Sequence, residues 1–500
     1  MLRILGSPKR LCNGVTRREM LRAGGLSLFG LGLADYLRLS DARATPKPML
    51  AASFGRAKAC ILLYLYGSPS QLETFDMKPD APVEIRGEFK PIASSLPGLP
   101  VCELLPNLAK QMHLTTVVRS VTHPYPLHGV AFATTGTPAI DVPMELNPRD
   151  GRHHPFIGSV VDYVTRGKNP PMAGAVPTNI ALPFPFSSKR VGEVARAGPY
   201  AAFLGSAYNP IWTEFHGAAS RNWVKTLQEQ KYDGPEPYMG VTPESRFELA
   251  TATDLPREIT LDRLDGRRSL LTQFDTARRE LERTDAGRGH DHYRQMAYGL
   301  IGSEKVRAAL DIQKEPRHVR EMYGMSLFGQ ASLAARRLVE AGSKFVTVTW
   351  DEFGLAGSAW DTHWNHYPRM KDELMPGFDK GFAGLLADLH ARGMLDDTLV
   401  LCLSEHGRTP KIQSEKGGGR DHWSQCYSVA MAGGGVAKGR VVGKSDKIAG
   451  TVAERPVSPK DILATAYHLL GIDPEMTLTD RTNRPHPLLQ NASVIPEVLA

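Results

Sequence analysis

Thr398-Leu399-Val400-Leu401-Cys402-Leu403 runs directly into Ser404-Glu405-His406-Gly407-Arg408-Thr409-Pro410. The first six residues show no polar alternation. Such a run predicts a strand covered on both faces, as in a parallel sheet between helices. A carboxylate and an imidazole follow at once. Loops leaving the carboxyl ends of parallel strands form the ligand crevice of α/β folds. The stretch therefore predicts both a fold class and the edge where chemistry should sit.

Other segments extend the pattern. Lys58–Tyr66, Leu114–Val121, Thr178–Leu182, Lys344–Trp350 and Cys426–Met431 read as strands. His128–Thr135 reads as a helix closed at Gly136. Leu327, Ala331, Ala334 and Leu338 recur at helical spacing before Gly342. Leu374, Phe378, Phe382, Leu385 and Leu389 mark one face of a long helix, and Pro459–Leu470 closes the series. Strands alternating with helices predict the α/β class, with three α/β/α layers around a mainly parallel sheet. Between about 262 and 322 apolar residues sit among many charges, which predicts a helical excursion.

Two more segments resemble the first in chemistry. Trp360-Asp361-Thr362-His363 follows the strand ending at Trp350 after a Gly-rich loop. Gly419-Arg420-Asp421-His422-Trp423 precedes the strand that starts at Cys426. Asp361, His363, Glu405, His406 and His422 are thus predicted on one sheet edge. Mixed oxygen and imidazole donors suit a divalent ion such as zinc or manganese. Arg408 is the expected grip on a phosphate or sulfate group. Gly417-Gly418-Gly419 lacks the lysine and helix of a phosphate cradle and reads as a flexible loop.

Charge and cysteines narrow the classes. Residues 1–44 hold eight basic and three acidic residues, so they carry +5 of the formal +7 and leave +2. A nearly neutral remainder predicts no nucleic-acid partner. Thr16-Arg17-Arg18-Glu19-Met20-Leu21, a short apolar run Leu26–Leu33 and Ala42-Arg43-Ala44 together read as a twin-arginine signal peptide over 1–44. The expected partner is the twin-arginine export machinery, and the expected location is periplasmic or secreted. No stretch is long and apolar enough to span a bilayer stably. Cys60 and Cys402 lie in strand-like runs, and there is no C-x-x-C pair for a thiolate zinc site. Cys102 and Cys426 are the pair open to a disulfide.

The order of these motifs resembles DUF1501, a family of exported bacterial proteins, which is similar in fold to the alkaline phosphatase and sulfatase superfamily. The resemblance rests on the leader, on Gly67-Ser68-Pro69-Ser70-Gln71-Leu72-Glu73-Thr74-Phe75-Asp76, on Gly205–Pro210, and on Phe328-Gly329-Gln330. It also rests on Trp360–His363, Ser404–Pro410, Arg420–His422 and Val457–Ala464. It implies an alkaline-phosphatase-like domain over 45–500 that hydrolyses phosphate or sulfate esters with divalent zinc, manganese or calcium. The alternative is a degenerate member that binds a sulfated or phosphorylated glycan, or a partner protein, without turnover.

The resemblance implies a first-strand Asp ligand, where this chain has Tyr66-Gly67-Ser68, with Glu73 and Asp76 further along. It places the nucleophile at Pro124, which cannot attack. Thr122, His123 and His128 remain as catalytic candidates. Hydrolysis would then proceed by direct attack of a metal-activated water.

Overall fold

The computed structural model describes residues 47–500 except 126–127, 138–144, 149, 151, 168–174, 191–195, 221, 228–229, 250–302, 355–356, 358 and 481. The chain divides into two units, residues 1–53 and 54–500. In the first unit only the helix Lys47–Ser53 is described. The signal peptide expected over 1–44 lies outside the described residues. Of the excursion expected at 262–322, residues 262–302 also lie outside them. Helices Glu304–Leu310 and Arg317–Tyr323 occupy most of the rest.

A nine-stranded sheet organises the second unit. Its strands are β1 (Ala59–Leu65), β2 (Thr115–Val121), β3 (Asn179–Leu182), β4 (Ile211–His216), β5 (Arg246–Leu249), β6 (Phe345–Trp350), β7 (Thr398–Leu403), β8 (Tyr427–Ala432) and β9 (Arg440–Val442). They lie in the order β9-β2-β8-β7-β1-β6-β3-β4-β5. Seven strands run one way. Only β8, antiparallel to both β7 and β2, and β5, antiparallel to β4, oppose them. The sheet is mostly parallel, as the apolar runs predict. Every residue of β1, β6 and β7 is buried. A strand buried on both faces has no polar alternation to offer, which is why these three are the plainest in the sequence.

Helix α1 (Val130–Thr135) ends at Gly136, α2 (Ile157–Arg166) packs on β3 and β6, and α3 (Leu327–Ala341) packs on β1 and β6. Ser326 caps α3, and Gly342 ends it in the left-handed region. Helix α4 (Met375–Ala391) packs on α3, and α5 (Pro459–Leu469) on α1. A capping box between Ser458 and Asp461 starts α5. Among the described residues no helix is long and apolar enough to cross a membrane. Cys60, Cys102, Cys402 and Cys426 are buried free thiols, so the pair open to a bridge is not joined.

The strand directions set the chemistry. β2, β7, β1 and β6 bring their carboxyl ends to one edge, and antiparallel β8 brings its amino end there. Register fixes this alignment: Tyr64 pairs with Leu403, Leu65 with Trp350, and Tyr427 with Val121.

Candidate metal centre

The loop from β6 reaches this edge at Trp360, whose amide donates to Tyr66 O at 3.0 Å. Its indole packs edge-on against Trp350, with centroids 5.3 Å apart. Gly67, at φ +90°, lets this loop close: a Cβ there would collide with the main-chain nitrogen of Asp361. A second glycine brings in the other loop. A Cβ on Gly419 would strike the His363 carbonyl. Arg420 N then donates to Thr362 O at 3.1 Å, and Arg408 pairs with His422 in a short antiparallel ladder.

Asp361, His363 and His422 meet at one point. Asp361 Oδ1 lies 3.0 Å from His363 Nε2 and 3.2 Å from His422 Nε2, and the two imidazole nitrogens are 3.0 Å apart. Their side chains are 13, 19 and 21 % exposed, so a ligand can reach them. Beneath them is a second group, His128, His406 and His422, again with donor atoms close together. His422 belongs to both groups.

Bonding decides which of these atoms carry lone pairs. His363 Nδ1 is 2.7 Å from Asp421 Oδ1 and donates to it, so Nε2 is left as an acceptor. Asp361 is ionised. Burial alone would raise its carboxyl, but the Arg408 guanidinium and then His128 hold it well below the usual range. Only a hydrogen on His422 Nε2 could lie among these three atoms, whereas a cation would satisfy all of them. His406 donates Nδ1 to Gly407 O at 2.8 Å and leaves its buried Nε2 without a partner. Burial, then the neighbouring His422, Arg408 and His128, hold its pKa well below normal, so the ring is neutral. Burial also lowers His422, so its ring and that of His406 stay neutral beside an ionised carboxylate, a donor set that fits a divalent cation.

Glu405 stands apart from both groups. Its Oε1 accepts from Gly67 N at 2.7 Å and faces His128 Nδ1 at 2.9 Å, while Oε2 accepts from Tyr64 OH at 3.1 Å. The five expected ligands therefore do not share one point, because this carboxylate is occupied beneath it. His128 bridges Glu405 and Asp361, with Nε2 3.3 Å from Asp361 Oδ2. Burial opposes its protonation, but Asp361 and then Glu405 raise it to about 9.

Arg408 corrects an expectation. It is fully buried, with its guanidinium bonded to the carbonyls of Ser68, Arg420, Gly67 and Trp360 and to Asp361 Oδ1. With no surface exposed it braces the loops and neutralises Asp361 rather than meeting a ligand. His123 is also committed: Nδ1 accepts from Tyr125 N at 3.2 Å and Nε2 donates to Glu405 O at 2.8 Å. Thr122 is half-buried, with its amide donating to Val457 O at 2.9 Å.

Two acidic residues directly after β6 lie outside the expected set. Asp351 and Glu352 are buried, and burial pushes them up to about 6 and about 7 against the pull of Arg190 and main-chain donors. The Arg190 side chain contacts Glu352, and Tyr66 stacks on His128 at 5.1 Å between centroids. Their position directly after Trp350 was the available signal.

The family match spans residues 57–499. The chain belongs to DUF1501, described as a protein of unknown function. No curated protein matches it. Among solved structures it is similar to PsFucS1 sulfatase from Pseudoalteromonas sp., at 12% identity and TM-score 0.37, over 86% of this chain and 73% of that one. It is also similar to the phosphonate monoester hydrolase of Agrobacterium radiobacter, at 13% identity and TM-score 0.32, over 88% and 77%. A third is the phosphonate monoester hydrolase SpPMH from Silicibacter pomeroyi, at 10% identity and TM-score 0.29, over 83% and 73%. At these scores the overlap is loose, and the fold of this DUF1501 member rests on its own strand order.

Proposed function

We propose that this DUF1501 protein is a metal-dependent hydrolase of phosphate or sulfate esters. The observation that carries the reading is the triangle of Asp361 Oδ1, His363 Nε2 and His422 Nε2, with sides of 3.0–3.2 Å. These three residues would hold a divalent cation, with zinc and manganese suited to the donor set; His406 Nε2 belongs to the neighbouring group with His128 and His422. Such an ion supplies polarisation of an ester oxygen and acidification of water. His128 sits between Asp361 and Glu405, whose carboxylates favour its protonated form, and can release a proton toward a leaving oxygen. Gly67 N and Tyr64 OH keep the Glu405 carboxylate aimed at that imidazole.

Metal content of the purified protein, followed by hydrolysis of aryl phosphates and sulfates, tests the reading. Stoichiometric metal with turnover abolished in His422→Ala supports it. A metal-free wild-type protein with unaltered turnover sinks it.

The inward-turned Arg408 favours the second reading, a protein that binds an anionic glycan or a partner protein without turnover. Among the described residues, the side-chain bonds to the triangle come from His128, Arg408 and Asp421, not from a hydroxyl. Bound metal with ligand binding and no hydrolysis would select that reading. In both readings the leader directs export by the twin-arginine machinery to the periplasm or beyond, as Arg17-Arg18 and Ala42-Arg43-Ala44 suggest. Replacing both arginines with lysine should leave precursor in the cytoplasm, and normal export of that variant refutes the route.

A further inference from the structure

The Gly67–Asp76 segment enters the site above only through Gly67 and Ser68. It folds into a turn, Gln71–Glu73, in which all three residues are buried. Gln71 clasps the main chain of Arg408: Oε1 accepts from Arg408 N at 2.9 Å, and Nε2 donates to Arg408 O at 2.8 Å. Glu73 reaches two other loops. Its Oε1 accepts from Arg420 Nε at 3.1 Å and from Arg420 Nη2. Its Oε2 lies 3.5 Å from His366 Nε2.

The contact continues through the ring. His366 Nδ1 is 2.8 Å from Thr362 Oγ1. No hydrogen bond joins His366 Nε2 to Glu73 Oε2, so Glu73 acts on Thr362 through the electrostatic hold on the His366 ring, whose Nδ1 is hydrogen-bonded to the Thr362 hydroxyl. Thr362 stands between Asp361 and His363, and its carbonyl also accepts from Arg420 N. Arg420 in turn stands two residues before His422. Glu73, His366 and Arg420 expose nothing, and Thr362 exposes 1 %. None of the four offers an atom to the triangle. One buried carboxylate therefore holds both ligand-bearing loops from behind, 347 residues from Arg420 in sequence.

We infer that Glu73 is a positioning residue: through His366–Thr362 on one side and Arg420 on the other, it sets the distances among Asp361, His363 and His422. This rests on the cation reading above. Buried polar partners behind metal ligands typically set affinity by about 10- to 100-fold, because they fix ligand orientation before the ion arrives.

The test uses Co2+ as the probe, with its visible absorption read during titration of the metal-depleted full chain. Glu73→Gln removes the charge. Thr362→Val removes only the hydroxyl and covers the case in which Glu73→Gln does not fold. Asp379→Asn is the control, because Asp379 is also a buried carboxylate but serves Asn107 and Leu108. The expected result is wild-type binding, an affinity loss of about 10- to 100-fold with a changed spectrum in Glu73→Gln and Thr362→Val, and wild-type affinity in Asp379→Asn. Folded variants with the wild-type affinity and spectrum overturn the positioning role while leaving the cation reading intact. A wild-type chain that takes up no Co2+ overturns the cation reading, and the positioning role falls with it.

Discussion

The Asp421 carboxylate lies 2.7 Å from Nδ1 of His363, and this contact turns the other nitrogen of the ring toward Asp361 and His422. Asp421 is itself largely exposed, with 56 % of its side chain accessible. Its role is orientation from the rim. Asp421→Ala should weaken metal binding by about tenfold with little loss of fold stability. Isothermal titration with Zn2+ reads the affinity. An unchanged dissociation constant would show that the ring is held by something else.

Acid should unfold the protein partly through Glu73. Burial raises its carboxyl, but Arg420 and then His366 outweigh burial and bring it from 4.5 to about 2. A carboxyl lowered in the folded state stabilises the fold above its unfolded value. That contribution, about 3 kcal/mol, is lost as pH falls from 4.5 toward 2. Urea unfolding of wild type and Glu73→Gln should therefore differ most above pH 5, with the gap closing toward pH 2. A gap independent of pH contradicts the ionised pair.

Hydrolysis should not depend on Thr122. Pro124 occupies the position that the family resemblance gives to a nucleophile, and Thr122 is tied by its amide to Val457 at the end of β2. Thr122→Ala should keep most of the wild-type kcat on aryl phosphates or sulfates, while His422→Ala should abolish it. A large loss in Thr122→Ala, with a trapped phospho- or sulfo-enzyme, would identify Thr122 as the nucleophile.

Gly67 should tolerate no side chain. Its φ of +90° is costly for alanine, and a Cβ would collide with the Asp361 main chain. Gly67→Ala should cost at least about 2 kcal/mol and lower metal content together with stability. Denaturant midpoints and metal analysis check both effects. A stable, fully loaded variant would show that the two loops do not meet as described.

The legible parts of the sequence were those whose signal is local. β1, β6 and β7 could be read because burial on both faces leaves unbroken apolar runs, and α3 because Leu327, Ala331, Ala334 and Leu338 keep helical spacing up to Gly342. β4, β5 and β9 were missed. β4 is only half-buried over most of its length and β9 has three residues, so neither carries an apolar run. The site divided in the same way. Asp361, His363 and His422 could be placed at the edge from strand order alone. The withdrawal of Glu405 and the inward turn of Arg408 could not, because both depend on long-range contacts with Tyr64, Gly67 and Ser68. Spacing along the chain carries no information about which carbonyl a guanidinium meets.

The reversed direction of β8 has a further consequence. The chain leaves the edge at Leu403 and returns to the same edge at Tyr427, so residues 404–426 form an excursion that never crosses the sheet. Its two ends are clamped by the register of β7 and β8, while its middle, Ser414–Lys416, is exposed beyond the ladder that Arg408 makes with His422. Side chains can change at these three positions without touching a core residue or the Gln413–Asp421 bond behind His363. Changes there would reshape the rim above Asp361, His363 and His422 and leave those three residues in place.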